Sequence, residues 1–464
     1  MNILHYTLGL PPYRSGGLTK YSLDLMLEQV RSGHQIHLLY PGQLTPSNKV
    51  TVKQNKKYKG IDVYEIINPL PVSLLGGVIN PDKFMKSLKS GTQVYLKFLK
   101  SLNIEVVHIH TLMGLHGEFM QAAKELNIKL IFTTHDYYGI CPKVNLIDSK
   151  GDICKDFKEG ANCISCNENA FSLSMIYIMQ SHFYKYFKDS KLVKSLRTFK
   201  KNEKIAQISD QKSIELNDNN SILNSAQLQQ KFLQLRDNYI NMLEMIDLFH
   251  FNSQLTKNEY EKYITKPNKV ISITHNNIKD NRKIKDYKHS KLQIGFLGPI
   301  EEYKGFPLLR KSLLKLLEQG EINWHLSVYG NDREIELTKD KQHISFHGKY
   351  KQSDLESIFD QIDVLIVPSV WKETFGFIGL EAMSHGVPTI VTEYIGFKDL
   401  VQHKVNGLIV GANVNELAHA IKCVIDNKKE TLEKWNNNIC RGPFLSILSF
   451  HNKEIEELYK SARS

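Results

Sequence analysis

Residues 364–393 read VLIVPSVWKETFGFIGLEAMSHGVPTIVTE, and the punctuation of that run decides the fold class. Val364 to Val367 is a short apolar run of the kind that fits a strand buried on both faces, and Pro388 to Thr392 is a second. Between them come a loop, 369–375, and a segment with helical spacing from Gly376 to His385, ended by Gly386 just past the helix and by Pro388. The spacing predicts a strand, loop, helix, strand unit. Glu373 falls in the loop and Glu381 more than one turn into the helix, so two carboxylates flank a helix N-terminus whose unpaired N–H groups favour an anion. A ligand with both hydroxyls and phosphates, such as a nucleotide sugar, suits that arrangement; two solvated acids in an ordinary βαβ unit are the plain alternative.

The wording P-S-x-W-x-E-x-F-G-x-x-x-x-E-A-M-x-x-G-x-P, from Pro368 to Pro388, closely resembles the donor-site signature of glycosyltransferase family 4. The resemblance implies retaining enzymes with the GT-B fold, an α/β architecture of two Rossmann-like, doubly wound parallel-sheet domains facing a cleft. It also implies that Glu373 holds sugar hydroxyls, that the backbone of Thr374, Phe375 and Gly376 meets the donor phosphates, and that Glu381 binds the ribose hydroxyls.

Length and composition agree with two cores. A chain of 464 residues, 41% hydrophobic and 23% charged, is long enough for two domains and ordinary for a globular protein. No uncharged apolar run approaches the roughly 20 residues of a membrane span, and the N-terminus passes straight into the strand-like NILHYTLGL, so the chain is expected in the cytoplasm. The formal charge of +11 suits a phosphate-bearing ligand, an anionic membrane or nucleic acid, but no RNA-binding or zinc-finger signature accompanies it, and nucleic acid is not expected as a partner.

Before the opening stretch, the first half alternates strand-like runs at Ile36 to Tyr40, Val106 to His110 and Lys129 to Thr134 with helical stretches such as Lys83 to Leu102 and Gly117 to Leu126. That alternation predicts a parallel sheet with ligands at the C-terminal strand ends, where His110 and His135 fall. Gly16 and Gly17, at the start of a helix, allow close backbone approach to a ligand, although Gly-Gly alone also reads as a turn. In the family resembled, this is the glycine loop that meets the donor diphosphate, with Arg14 and Lys20 beside it here. TTHDYYG resembles the family's His-Asp-Tyr segment, which implies that His135 holds the donor sugar near the reacting carbon and that Asp136 orients the loop.

Cys141, Cys154, Cys163 and Cys166 follow at once, the last two as Cys-x-x-Cys. Four thiols with one close pair fit either a structural zinc site or four separate cysteines. From about 170 to 243 the sequence turns helical, as an insertion in the first domain. Within it, 185–204 carries eight basic residues opposed only by Asp189 and Glu203, interleaved with aromatics such as Phe183 and Phe187. Such a stretch lies on an anionic membrane, at the inner face of which a lipid-linked acceptor would be met, or is a solvated helix face.

The polar run 281–291 reads as a linker between a first domain, 1–280, and a second, 292–445, with 446–464 as a terminal helix that in the family packs back on the first domain. Gln293 to Gly305, QIGFLGPIEEYKG, places Gly298 at a glycine turn and Lys304 where it can meet a phosphate. Relatives commonly carry arginine after that glycine; Pro299 stands here, which removes one diphosphate clamp. Lys349 and Tyr350 follow a strand end near the expected nucleobase. There is no Asp-x-Asp, so no cofactor is expected for catalysis: His135, Glu373 and Lys304 are the expected catalytic residues, with cations and helix dipoles neutralising the leaving group. The expected activity is metal-independent, retaining transfer from a nucleotide sugar to a saccharide or lipid-linked saccharide in bacterial surface polysaccharide assembly. Two rivals stand beside it, a nucleotide-sugar epimerase of the same fold and an inactive transferase-like subunit, the latter prompted by Pro299 and the insertion.

Overall fold

Val106–Ile109 and Val364–Val367 are buried at every position, as parallel strands covered on both faces must be. The computed structural model describes residues 1–47, 49–181, 184, 220–330 and 337–463. These divide into two compact units: Met1–Phe249, Tyr263–Pro267 and Tyr459–Ser464 form the first, His250–Lys262 and Asn268–Leu458 the second.

One sheet comprises β1 (Asn2–Tyr6), β2 (Gln35–Pro41), β3 (Thr51–Gln54), β4 (Asp62–Ile67), β5 (Val106–Ile109), β6 (Lys129–Thr134), β7 (Leu248–Phe251) and β8 (Asn268–Val270), in the order β3-β4-β2-β1-β5-β6-β7-β8. β3 pairs antiparallel with β4, whereas β1, β2, β4, β5 and β6 pair in parallel. The other sheet comprises β9 (Leu292–Leu297), β10 (Trp324–Tyr329), β11 (Ile344–Gly348), β12 (Val364–Val367), β13 (Thr389–Thr392) and β14 (Gly407–Val410), in the order β11-β10-β9-β12-β13-β14. All five of its pairings are parallel. Both are Rossmann-like sheets whose order reverses beside the first strand of each sheet, β1 against β5 and β9 against β12, and ligands of such sheets bind at that reversal.

The segment expected to be a linker is part of the second unit. Tyr287 is only 4% exposed and packs in a core with Leu292, Trp324 and Trp435. Around it the backbone N–H of Asn281 donates to the Ser384 carbonyl (2.9 Å), that of Lys285 to Asn436 Oδ1 (3.0 Å), and Arg282 Nη1 to the Ile439 carbonyl (2.6 Å). Two polar side chains of 281–291 misled because they satisfy backbone carbonyls of the unit: beside Arg282, Lys285 Nζ donates to the Phe359 carbonyl (2.6 Å). Burial pulls the Lys285 pKa down to about 8.

The single helix expected over Lys83 to Leu102 is two, Pro81–Phe84 and Gln93–Leu102. Gly91, at φ 56°, takes the left-handed conformation that an α-helix excludes, and the chain loops out there. Of the expected insertion, the described part includes the helix Asn220–Glu244, with Phe232, Leu235, Tyr239, Met242 and Leu243 buried. The Tyr239 hydroxyl donates to the Phe84 carbonyl (2.9 Å) and bonds with the Tyr138 hydroxyl (2.8 Å), so this helix braces the loop after β6. The basic stretch 185–204 lies outside the described residues apart from its neighbour Tyr184. Among the described residues no helix is long and apolar enough to cross a membrane.

Three buried histidines, two in the first unit and one in the second, carry a pH consequence. Burial pushes His5 down to about 4; burial, with the positive charge of Lys86 second, pushes His116 down to about 4, and burial pushes His250 down to about 4 as well. Between that value and the ordinary 6.5 the unfolded chain binds more protons than the folded one, so stability falls as pH drops through the window. Each histidine contributes about 3 kcal/mol to the loss. Thermal melting followed from pH 7.5 to 4.5 should therefore show a steep fall in Tm, and His116→Gln should reduce the first unit's share of it, with the His5 part remaining.

Candidate active site

In the second unit the loops after β9 and β12 meet at the sheet's reversal point and line a cavity of about 240 Å³ with Gly298, Pro299, Lys304, Tyr350, Glu373 and Glu381. Gly376 lines it as well, whereas Thr374 and Phe375 do not. Phe375 is buried, and the Thr374 carbonyl accepts from the Ser253 hydroxyl (2.7 Å). The carbonyls of both residues are thus bonded within their own unit, and Gly376 is the part of that trio on the cavity wall.

Gly376 precedes the helix Phe377–Met383 with φ 92°, and a Cβ there would stand 2.4 Å from Ile395 Cδ1. Both the angle and the space demand glycine. Lys304 Nζ lies 2.6 Å from Glu373 Oε1, the Ser369 hydroxyl donates to Glu373 Oε2 (2.7 Å), and the ammonium stands 5.4 Å from the Trp371 ring centre. Both Glu373 oxygens are therefore held, and the loop's Ser, Trp and Glu serve one cation. Glu381 is 9% exposed, with Oε1 accepting from Gln352 Nε2 (3.3 Å) and 3.5 Å from His275 Nε2. Burial and the Glu381 charge push the Tyr350 phenol up to about 12, so it remains a hydrogen-bond donor at neutral pH.

The first unit holds the other expected residues. Gly16, at φ 108°, caps the helix Gly17–Arg31. Arg14 Nη2 donates to the Tyr13 hydroxyl (3.3 Å), while the buried Arg14 Nε–H has no partner and burial lowers the guanidinium's pKa. Lys20, in contrast, is paired with Asp24 at 2.5 Å. His135 follows β6, with Nε2 3.2 Å from His110 Nδ1 and its ring 4.9 Å from that of Tyr21. Asp136 Oδ1 accepts from the Tyr138 backbone N–H (2.8 Å), which fixes the turn after His135, and burial raises its carboxyl to about 6.

The four cysteines do not assemble as a zinc site requires. Among the described residues, the one group of three or more His, Cys, Asp or Glu whose ligand atoms all lie within 4.8 Å of one another is His5, His108 and His110. Arg236 explains the spread: it is buried at 7% exposure, its guanidinium sits 3.6 Å over the Phe157 ring and it hydrogen bonds Cys163. Burial pushes the Cys163 thiol up to about 12.

A second cavity of about 560 Å³ opens in the first unit beyond the ends of β2 and β4. Its lining includes Lys49, Lys83, Lys86, Lys89, Asn68 and His116, and among the described residues no carboxylate. Two of the lysines sit on the loop that Gly91 releases, so the break in the expected helix builds this wall.

Motif reading missed His275, Gln352 and Ser369 as partners of the two glutamates. Ser369 stood inside the signature and was legible there. His275 and Gln352 reach Glu381 only through the fold and belong to no motif with it.

Family comparisons agree with this layout. The family described as Glycosyltransferase Family 4 matches residues 15–151, and Glycosyl transferases group 1 matches 277–441. An uncharacterized glycosyltransferase of Methanocaldococcus jannaschii is 27% identical over 163 residues, 31% of this chain and 41% of its own. The amylovoran biosynthesis glycosyltransferase AmsK of Erwinia amylovora is 24% identical over 155 residues, 30% of this chain and 38% of its own. The chain thus spans about two fifths of the length of these curated relatives. Among solved structures, Anabaena Alr3699/HepE in complex with UDP superposes with a TM-score of 0.55 at 14% identity, covering 99% of this chain and 100% of that one. With matches in both units and two Rossmann-like sheets, the chain belongs to glycosyltransferase family 4 and has the GT-B fold.

Proposed function

We propose that the chain transfers a sugar from a nucleotide-sugar donor to a saccharide acceptor with retention at the anomeric carbon. The observation that carries this is the cavity at the β9/β12 reversal, where one ammonium and two carboxylates stand on a glycine-lined wall. Glu381, backed by Gln352 and His275, takes the ribose hydroxyls; Lys304, shared with Glu373, takes the diphosphate; Glu373 takes sugar hydroxyls. The bond from the anomeric carbon to the diphosphate oxygen breaks, the acceptor oxygen bonds on the same face, and its proton passes to the departing phosphate. Lys304 and the N–H group at Gly376 balance the leaving group's charge without a metal.

For the acceptor we infer a saccharide bearing phosphate or other anionic groups, because the first-unit cavity presents four lysines and no acid. The polysaccharide setting is supported by the amylovoran biosynthesis relative, and the lipid-linked form rests on the charge of 185–204 alone.

Two measurements test this. UDP, which the HepE neighbour binds, serves as the first probe: Glu381→Ala should weaken its binding about tenfold or more, the scale of a lost hydrogen bond to a charged group. His135→Ala should leave UDP affinity in place and lower kcat about a hundredfold. UDP binding unchanged by Glu381→Ala would overturn the donor assignment. For the acceptor, inorganic pyrophosphate should bind the wild-type chain in a salt-sensitive way and lose about tenfold in a Lys86→Ser, Lys89→Ser double variant. Equal affinity in calorimetry would remove this cavity from the acceptor reading.

A further inference from the structure

Lys372 occupies one of the positions that the signature from Pro368 to Pro388 leaves open, yet its ammonium is spent inside the protein. Its Nζ lies 2.5 Å from Glu259 Oε1, and the Lys262 ammonium donates to Glu259 Oε2 (2.7 Å). Lys372 is 14% exposed at the side chain and Glu259 10%, so the pair is mostly withdrawn from water. Glu259 stands on the helix Gln254–Tyr260, 113 residues before Lys372 and in the same unit.

That helix meets the loop at a second point. Ser253 caps the helix by accepting from the Thr256 backbone N–H (3.2 Å), and its hydroxyl donates to the Thr374 carbonyl (2.7 Å). The turn Gly396–Leu400 closes on the loop too: the Gly396 N–H donates to the Glu373 carbonyl (2.9 Å) and the Phe397 N–H to the Phe375 carbonyl (2.6 Å). Helix and turn are tied to each other, since the Gln254 backbone N–H donates to Asp399 Oδ2 (2.5 Å).

The loop's side chains are divided between two sides. Glu373 forms a β-bridge with Ile395, and along such backbone successive side chains point opposite ways. Lys372 accordingly goes to Glu259 behind the loop, while Glu373 goes to Lys304 and Ser369 at the cavity. Swinging Lys372 away would strip a cation from a buried carboxylate, so rotation of the loop about 372–373 is opposed.

We propose that Lys372 and Glu259 are positioning residues for the cavity at the β9/β12 reversal: their ion pair fixes the rotation of the loop and thereby turns Glu373 onto Lys304. Neither is among the residues that line the cavity, so the effect passes through the backbone at 372–373. The inference rests on the reading of Lys304 and Glu373 as donor-binding groups, but the loop's order is measurable without a ligand.

Hydrogen–deuterium exchange of the full chain reads that order through peptides covering 369–376 and 394–399. Lys372→Met keeps the aliphatic stem and removes one charge; Glu259→Gln keeps the shape and removes the other. Each should speed exchange in those peptides about tenfold, while peptides of β9 and β12 keep the wild-type rate. Because the two side chains act as a pair, the double variant should exchange no faster than the faster single one. Lys372→Arg keeps the pair and should keep the wild-type rate. With UDP as the probe, Lys372→Met should weaken binding about tenfold and Lys372→Arg by no more than about twofold.

Wild-type exchange in either folded single variant overturns the proposal. Faster exchange spread evenly over the second unit overturns it as well, because it marks a pair that only stabilises the fold. So does a loosened loop with UDP binding intact in Lys372→Met, where Lys304→Met weakens that binding. UDP binding unchanged in both Lys372→Met and Lys304→Met would instead overturn the donor reading of the cavity and leave the ordering of the loop standing.

Discussion

The second unit's cavity depends on the close approach of two loops that are distant in sequence, pinned by the 2.6 Å contact of Lys304 with Glu373. The pair is mostly withdrawn from water, so neither charge is well off without the other. Ser369 satisfies the second carboxylate oxygen and Trp371 lies beside the ammonium, so the loop after β12 is built around a cation supplied from the loop after β9. The approach leaves no room for a side chain at Gly305: a Cβ there would fall 1.7 Å from the Pro368 carbonyl oxygen. Two adjacent parallel strands at a sheet reversal make such a meeting available, and the ion pair and the glycine make use of it.

The first unit works on a different principle. Where the second unit pairs opposite charges at a half-open wall, the first buries polar rings that bond with one another, as His5 Nδ1 does with His110 Nε2 (3.0 Å). Unsatisfied polar groups in an interior are costly, and mutual hydrogen bonds among buried side chains meet that constraint.

Sequence legibility tracked whether a residue's role was local. Glu373, Glu381 and Gly376 were readable because one loop and one helix carry them, and the parallel sheets were readable from apolar runs such as Val364 to Val367. His5, His108 and His110 showed only as polar residues inside strands, since their partnership needs the β1 to β5 register. The cysteines misread in the opposite sense: their spacing resembled a metal site until Arg236, from a remote helix, proved to stand among them. Gly91 was a visible breaker inside a helical pattern, and its meaning emerged only with the lysine-lined cavity beside it.

The run 281–291 has a bearing on protein engineering. Chimeras that exchange acceptor and donor halves are usually cut where the chain looks least structured, and the polar run before β9 invites the cut. Severing there would strip Tyr287 from between Trp435 and β9 and undo the clasp of Arg282 on the Ile439 carbonyl. A graft that preserves the second unit has to carry the chain from upstream of Asn268, where that unit's continuous segment begins.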